Sequence, residues 1–381
     1  MEPKVPGTAE FADLSVKWIG LDLKNPVVAE SAGYSVSTWG MKRLIKMGCS
    51  AVVTKSTTWD PLGGWPRQWD ATPQPRCYWV YDDNMYTLDG TEALQNPGHK
   101  KMTEFIKEVK PYADQHGSYI VGSFSPRSAD EAMIIAREFE QAGAAAIHMD
   151  LVCPSASAFR SLQYPGKGYE KLGNYWSESP ERLDELLKVI RGSIDIPLIP
   201  KTLVGKWLST NPDVIPQTYG RWVDGFSFMG SAPVLDIDLY SGKQTYAKVE
   251  GRAFKYLTFR MVADIARVCK GKAMLPSGGI QTAEDIVKCI MLGSDVGAVC
   301  TAIYRGPKEV EKICQDLETF MVNQAVDNLE QIKGVALKHL PARGYGKIRA
   351  DVEEHAKQLG KEYQGFIPGE NPPAERVPIT R

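Results

Sequence analysis

The chain has 381 residues, of which 43% are hydrophobic and 24% charged, and its formal net charge is −1 at pH 7. That length can bury one large core or two smaller ones, and the near-zero charge gives no reason to expect nucleic acid or an anionic membrane as partner. The seven cysteines, at 49, 77, 153, 269, 289, 300 and 314, include no Cys-x-x-Cys pair, which argues against zinc and iron–sulfur ligation within this chain.

At the N-terminus, Met1-Glu2-Pro3-Lys4 leads into no apolar core of the signal-peptide kind, and no apolar run is long enough to span a bilayer. With an odd cysteine count, these features point to a reducing cytoplasm and to no membrane partner. Residues 16–19 and 21–23 read as a hairpin turning at Gly20, placed to plug the bottom of a barrel. Eight short apolar segments follow, at 26–30, 51–55, 119–123, 145–150, 197–201, 225–229, 273–277 and 296–300. Continuous apolar runs suit parallel strands buried on both faces. They alternate for the most part with helical patterns, so the expected fold is an α/β (β/α)8 TIM barrel rather than a doubly wound sheet.

Several helices announce their starts. Ser128-Ala129-Asp130-Glu131 reads as a capping box, followed by Ala132, Ile135, Ala136 and Phe139 on one face and stopped at Gly143. Ser179-Pro180 supplies an N-cap and a first helical residue. Thr282 opens a helix whose buried stripe is Ile286, Cys289 and Ile290, and 260–269 reads as another helix. Two segments exceed ordinary loops: 57–96, rich in Trp, Pro and Tyr, and 154–177, rich in Gly, Tyr and Ser. Both follow strand C-terminal ends, where they are placed to cover a site. The barrel is expected over residues 1–334. Residues 335–381 read as a C-terminal extension, with a helix near 348–363 and a Pro-rich arm from 367.

The strand ends carry the chemistry. Ser277-Gly278-Gly279-Ile280 closes the seventh strand, and Thr301-Ala302 follows the eighth. Small residues there let backbone N–H groups approach an anion, and two such strand ends late in a barrel are where a phosphate is held. Lys55 closes strand two and Lys201 strand five. Each reads either as a rim lysine snorkelling to water or as a fixed cation facing an anionic cofactor or developing charge. Cys153, just past strand four and beside Asp150, reads as an apolar filler or as a proton donor and acceptor. His148 and Asp150 share a strand face but suggest no third ligand, so no metal site is expected. Ser231 and Ser277 lack the surroundings of an activated nucleophile. Trp59, Trp65, Trp69 and Trp79 either stabilise the second loop or line a site for a flat substrate.

Taken together, these motifs resemble the dihydroorotate dehydrogenase superfamily, with cytosolic dihydroorotate dehydrogenases and the catalytic domain of dihydropyrimidine dehydrogenase as near members. The motifs run in order: Gly20-Leu21-Asp22-Leu23-Lys24-Asn25-Pro26-Val27, Ser31-Ala32-Gly33, Thr54-Lys55-Ser56-Thr57-Thr58, Trp65-Pro66-Arg67, Cys153-Pro154, Gly251-Arg252-Ala253-Phe254-Lys255, Ser277-Gly278-Gly279-Ile280, and Thr301-Ala302-Ile303-Tyr304-Arg305-Gly306-Pro307. The resemblance implies FMN at the C-terminal face of the barrel. Gly278, Gly279, Thr301 and Ala302 would bind its phosphate; Ala32, Gly33, Lys55, Ser56, Ser123, Asp150, Lys201, Ser231, Gly251 and Ser277 would lie around the rest. It implies hydride transfer between flavin N5 and a C=C or CH–CH bond. Cys153 would be the acid/base, Lys201 would stabilise charge near N1 and C2=O, and Lys55 would assist.

The substrate side departs from the family pattern. Asp150-Leu151-Val152-Cys153-Pro154-Ser155 stands where pyrimidine-handling relatives carry Asn-Leu-Ser-Cys-Pro followed by Asn or His, and Gly230 stands in place of an asparagine. Asparagine amides read the N–H and C=O edges of a pyrimidine. With Lys55, Asp150, Ser155 and Gly230 at the substrate, another cyclic or conjugated carbonyl compound is expected, with dihydroorotate or a dihydropyrimidine as runner-up. No Gly-x-Gly-x-x-Gly opens a helix after a strand. Electrons would therefore come from an external donor or acceptor or from a redox partner subunit, and homodimers are common in the family. Two readings of other classes stand beside this one. One is a phosphate-binding barrel with Lys201 as an aldolase-like Schiff-base lysine; the other is a non-catalytic flavin-binding subunit.

Overall fold

The computed structural model describes residues 12–62, 86–89, 95–152, 168–202, 215, 218–228, 230, 232–237, 239–242, 244–306 and 308–340. The chain divides into two compact units, Met1–Leu337 and Lys338–Arg381. Of the second, only residues 338–340 are described, and the expected helix near 348–363 and the Pro-rich arm lie outside the described residues.

All eight expected strands form. They are β1 Val27–Ala29, β2 Ala51–Val53, β3 Tyr119–Phe124, β4 Ala146–Asp150, β5 Leu198–Thr202, β6 Gly225–Phe228, β7 Ala273–Leu275 and β8 Gly297–Val299. Each pairs in parallel with its neighbour in sequence from β1 to β7, and β8 pairs with β1 through Gly297↔Val27 and Ala298↔Val28. The last seam is bridged where Ala298 N–H donates to Pro276 O at 2.8 Å. This is the expected (β/α)8 barrel.

Two buried layers hold it. Inside, Val28, Ala51, Val53, Val121, Ala146, Ile199, Leu275 and Ala298 fill the lumen. Below them, strands Val16–Trp18 and Leu21–Leu23 pair as the expected hairpin. Its turn takes positive φ at Ile19 (47°) and Gly20 (84°), the pattern of a primed hairpin turn that matches strand twist. Trp18 and Leu23 belong to the lumen cluster. Trp18 is fully buried, and its indole N–H donates to Met274 O at 3.0 Å. Trp18 thus buries its large ring without leaving its one donor unpaired. Outside, the opposite strand faces pack on α1 Thr38–Lys46, α2 His99–Gln115, α3 Ala129–Gln141, α4 Pro180–Arg191, α5 Lys255–Val268, α6 Ala283–Met291 and α7 Glu309–Asn323.

The caps explain the helix starts. Ser128 Oγ accepts from Glu131 N–H, but Glu131 reaches one residue past the expected partner and accepts from Arg127 N–H, so the box is half formed. Ser179 Oγ accepts from Arg182 N–H, with Pro180 at the first helical position. Thr282 and Asp285 make a full reciprocal box. Helix α5 starts five residues before the expected 260, because Gly251 (φ 86°) and the turn Arg252–Phe254 lead straight into it.

One element was absent from the sequence reading. After β6, strands Ala232–Ile237 and Gln244–Glu250 form a hairpin, and Tyr86–Asp89 from the long second loop joins it antiparallel. Two insertions from different strand ends thus share one small sheet. The second loop is also tied at both ends. Thr58 N–H donates to Asn96 Oδ1 at 3.1 Å, and Trp59 stacks on His99 with centroids 4.4 Å apart. Trp65, Trp69 and Trp79 lie outside the described residues.

Candidate active site

The C-terminal rim of the barrel has two unlike halves. On one half, backbone meets backbone. Gly278 (φ 96°) and Gly279 (φ 76°) follow β7 in left-handed conformations that other residues adopt only at a cost. A Cβ on Gly278 would lie 2.6 Å from Gly230 Cα, and one on Gly279 would lie 2.4 Å from Lys255 N and 2.5 Å from Gly251 O. Gly230, Gly251, Gly278 and Gly279 therefore converge from the β6 end, the turn before α5 and the β7 end. They form a close-packed glycine cradle, in which an added Cβ at 278 or 279 would collide with neighbouring backbone.

Around this cradle, polar side chains hold the backbone. Ser277 Oγ donates to Phe228 O at 2.8 Å, and Thr258 Oγ1 lies within bonding distance of Ser277 O and Gly278 O. Thr301 opens the short helix Thr301–Arg305 and is buried with Ala302. Gln281 Nε2 donates to Thr301 Oγ1 at 2.8 Å, and Arg305 clamps Gln281 through its side-chain and backbone oxygens, each at 3.1 Å. Lys255 Nζ donates to the buried Asp285 at 2.8 Å. Gln281 and Thr258 escaped the sequence reading, although Gln281 follows Ile280 just past the Gly-Gly pair.

On the other half the site is built of side chains. Ser56 Oγ donates to Asp150 Oδ2 at 3.0 Å and lies 2.8 Å from Ser123 Oγ. Ser123 Oγ in turn lies 2.9 Å from His148 Nδ1. His148 Nε2 is 3.8 Å from Glu30 Oε1, and Lys201 Nζ donates to the same oxygen at 3.1 Å. Ser31 Oγ accepts from Ser56 N–H at 2.9 Å. Glu30, Ser56, Ser123, His148, Asp150 and Lys201 are all buried. Burial pushes the His148 imidazolium pKa down, with Lys201 adding to it and Glu30 and Asp150 opposing. At neutral pH the ring is therefore uncharged.

Of the sequence candidates, Ser56, Ser123, Asp150 and Lys201 meet in this second cluster, and Gly230, Gly251, Ser277, Gly278, Gly279, Thr301 and Ala302 surround the first. Ala32 and Gly33 lie between the halves, in a turn where Ser35 N–H donates to Ala32 O at 3.1 Å. Lys55 stands half-buried beside that turn, its N–H donating to Ser35 O at 3.1 Å. Cys153, Ser155 and Ser231 lie outside the described residues. Lys201 is buried rather than snorkelling to water, and an ion pair with Glu30 compensates its charge. Glu30 was missed; the signal was present, since an acid closing the apolar run Val27-Val28-Ala29 is as exposed to question as Lys201 closing its own.

The family model for dihydroorotate dehydrogenase matches residues 13–191 and 231–321, well over half of the chain. The chain belongs to the dihydroorotate dehydrogenase family. Its match takes in both halves of the rim apart from Lys201 and Gly230, which fall in the unmatched stretch between the two segments. Among similar proteins is the catalytic subunit of dihydroorotate dehydrogenase B (NAD(+)) of Thermoplasma volcanium, 26% identical over 86% of this chain and 100% of that one. Another is dihydroorotate dehydrogenase A (fumarate) of Limosilactobacillus reuteri, 27% identical over 85% of this chain and 98% of that protein. The same NAD(+)-type subunit of Alkaliphilus metalliredigens is 24% identical over 84% and 98%. As a member of the dihydroorotate dehydrogenase family, the protein is an oxidoreductase acting on CH–CH groups, and its relatives are flavoproteins that pass electrons from a small-molecule substrate to an acceptor. No helix among the described residues is long and apolar enough to cross a membrane.

Proposed function

We propose that the protein binds FMN across the two halves of the rim and uses it to oxidise or reduce a cyclic or conjugated carbonyl compound at a CH–CH or C=C bond. The glycine cradle carries this reading. Gly230, Gly278 and Gly279 bring the β6 end, the turn at Gly251 and the β7 end into backbone contact closer than a Cβ would allow, and a short helix starts beside them at Thr301. A phosphate needs such close backbone approach. The residues present therefore fit a phosphorylated flavin. Gly278, Gly279, Thr301 and Ala302 would hold the phosphate, and Ala32, Gly33, Lys55, Ser56, Ser123, Ser231, Gly251 and Lys201 the remainder. FMN, when bound, supplies the hydride acceptor or donor.

The chain's own groups do the rest. Lys201 contributes a buried positive charge where the reaction gathers negative charge, worth most because water is excluded. Cys153 gives or takes the proton at the substrate carbon next to the one that exchanges hydride. Asp150, fixed by Ser56 and by Val152 N–H at 3.2 Å, presents an acceptor to a substrate N–H or O–H. Its carboxylate disfavours a substrate that carries a carboxylate of its own, which argues against dihydroorotate. Dihydroorotate or a dihydropyrimidine is the second reading, favoured by the full-length match to enzymes named for the first.

The remaining expectations belong to the same proposal. Residues 1–334 form the flavin barrel and 335–381 an extension. The electron partner is a diffusible molecule or a redox subunit, the assembly is a homodimer, and the location is the cytoplasm.

Purification and heat release of the cofactor test the proposal. A yellow protein yielding about one FMN per chain is expected, and a protein that stays colourless after incubation with excess FMN contradicts it. A half-reaction screen with dihydroorotate, uracil, fumarate and conjugated cyclic ketones then separates the two substrate readings. Cys153→Ala should keep the flavin and slow substrate-dependent reduction by about 10²–10⁴-fold.

A further inference from the structure

Hydrogen-bond directions in the buried cluster decide where its protons are. Ser56 has one hydroxyl proton, and it goes to Asp150 Oδ2. Towards Ser123 it can therefore only accept, so the single proton of Ser123 points to Ser56. Ser123 then accepts from His148, which fixes the neutral imidazole with its proton on Nδ1. Nε2 is left with a bare lone pair, 3.8 Å from Glu30 Oε1. Two acceptors thus face each other in a fully buried place. Among the described residues neither His148 Nε2 nor Glu30 Oε2 has a hydrogen-bond partner. Leaving such groups unmet in a buried place is unfavourable, and one proton would turn the contact into an ion pair.

The charged groups facing His148 among the described residues are Glu30 from the end of β1, Asp150 from its own strand and Lys201 from β5. Glu30 and Asp150 favour the extra proton; burial and the Lys201 ammonium oppose it. The balance turns on Lys201, because its charge is the one an anion in the site would offset.

We propose that His148 is a proton-uptake site coupled to reduction. When negative charge arrives beside Lys201, one proton from bulk water settles on His148 Nε2 facing Glu30, and it returns to water on reoxidation. The inference rests on the flavin reading above. Electrons and atoms balance: the substrate CH–CH bond gives its hydride to the flavin and a proton to Cys153, and His148 gains only a solvent proton. His148 is a positioning residue for charge, not one that touches the reacting atoms.

Two measurements test it. In the oxidised wild-type protein, nitrogen-15 NMR of the histidines should show His148 with its proton on Nδ1; a proton on Nε2 overturns the proposal and needs no variant. In weakly buffered solution at about pH 7, electrochemical reduction should take up one proton more per two electrons in wild type than in His148→Gln, with the same reduced-flavin absorbance in both. Glu30→Gln, which keeps shape and hydrogen-bonding capacity, should lose the same extra proton. Equal uptake in wild type and both variants contradicts this proposal alone. A protein that binds no flavin contradicts the flavin reading as well.

Discussion

The two halves of the barrel rim solve the same problem with different materials. The half built on the β6, β7 and β8 ends uses backbone: glycines in left-handed conformations, braced by Ser277, Thr258 and Gln281. The half built on the β1 to β5 ends uses a chain of buried side chains from Asp150 to Lys201. Backbone donors are fixed and carry no protons to exchange, which suits an anion of constant charge. A side-chain network can gain or lose a proton, which suits a place where charge changes during turnover. The phosphate and the redox end of a flavin make those two demands.

The sharpest break in the comparison is steric. Gly279→Val would place a branched side chain where even a Cβ meets Lys255 N at 2.4 Å, at a φ of 76°. Strain and overpacking together should cost roughly 2–6 kcal/mol, and flavin content on purification should fall to near zero.

Charge removal comes next. Lys201→Met leaves the Glu30 carboxylate buried without its cation, which should cost about 3–5 kcal/mol in urea unfolding. The double variant Lys201→Met/Glu30→Gln should recover most of that loss, since the unpaired charge goes with it. No recovery would show that the pair does not act as a unit.

How these halves could be read from sequence differs for the same reason. Ser277-Gly278-Gly279 and Thr301 are contiguous motifs, and a backbone site leaves contiguous traces because only glycine tolerates the required φ. The strands were legible too: continuous apolar runs located all eight barrel strands. The side-chain half is scattered over five strand ends. Ser56, Ser123, Asp150 and Lys201 stood out singly, but Glu30 did not, because Glu30 and Lys201 are 171 residues apart and nothing local couples them. The hairpin Ala232–Ile237 with Gln244–Glu250 was illegible for a related reason: it pairs with Tyr86–Asp89, so its stability comes from distant sequence. Cys153 was read from its place after β4 and from the family motif alone.

Acid should act on the side-chain half. The His148 pKa is lowered in the folded protein, so below the ordinary histidine value of about 6.5 the unfolded chain binds a proton that the native state refuses. Stability should therefore fall as pH drops from about 6.5 towards the folded value, by at most about 1.4 kcal/mol per pH unit from this group. His148→Gln should remove that part of the slope in a pH series of thermal melts.

A mixed effect is expected at Ser56, in the middle of the hydrogen-bonded side chains. Ser56→Ala removes a hydroxyl that links Asp150 to Ser123, and about 1–3 kcal/mol of stability should go with it. Substrate KM should move more than flavin content, because Asp150 loses the donor that orients it.

What the glycine cradle holds decides how the whole rim works. Heat release and chromatography of the bound cofactor from wild type and Gly279→Val, side by side, test it. Stoichiometric FMN from the first and none from the second is the predicted result. FMN bound equally by both, or absent from wild type after incubation with excess FMN, would contradict it.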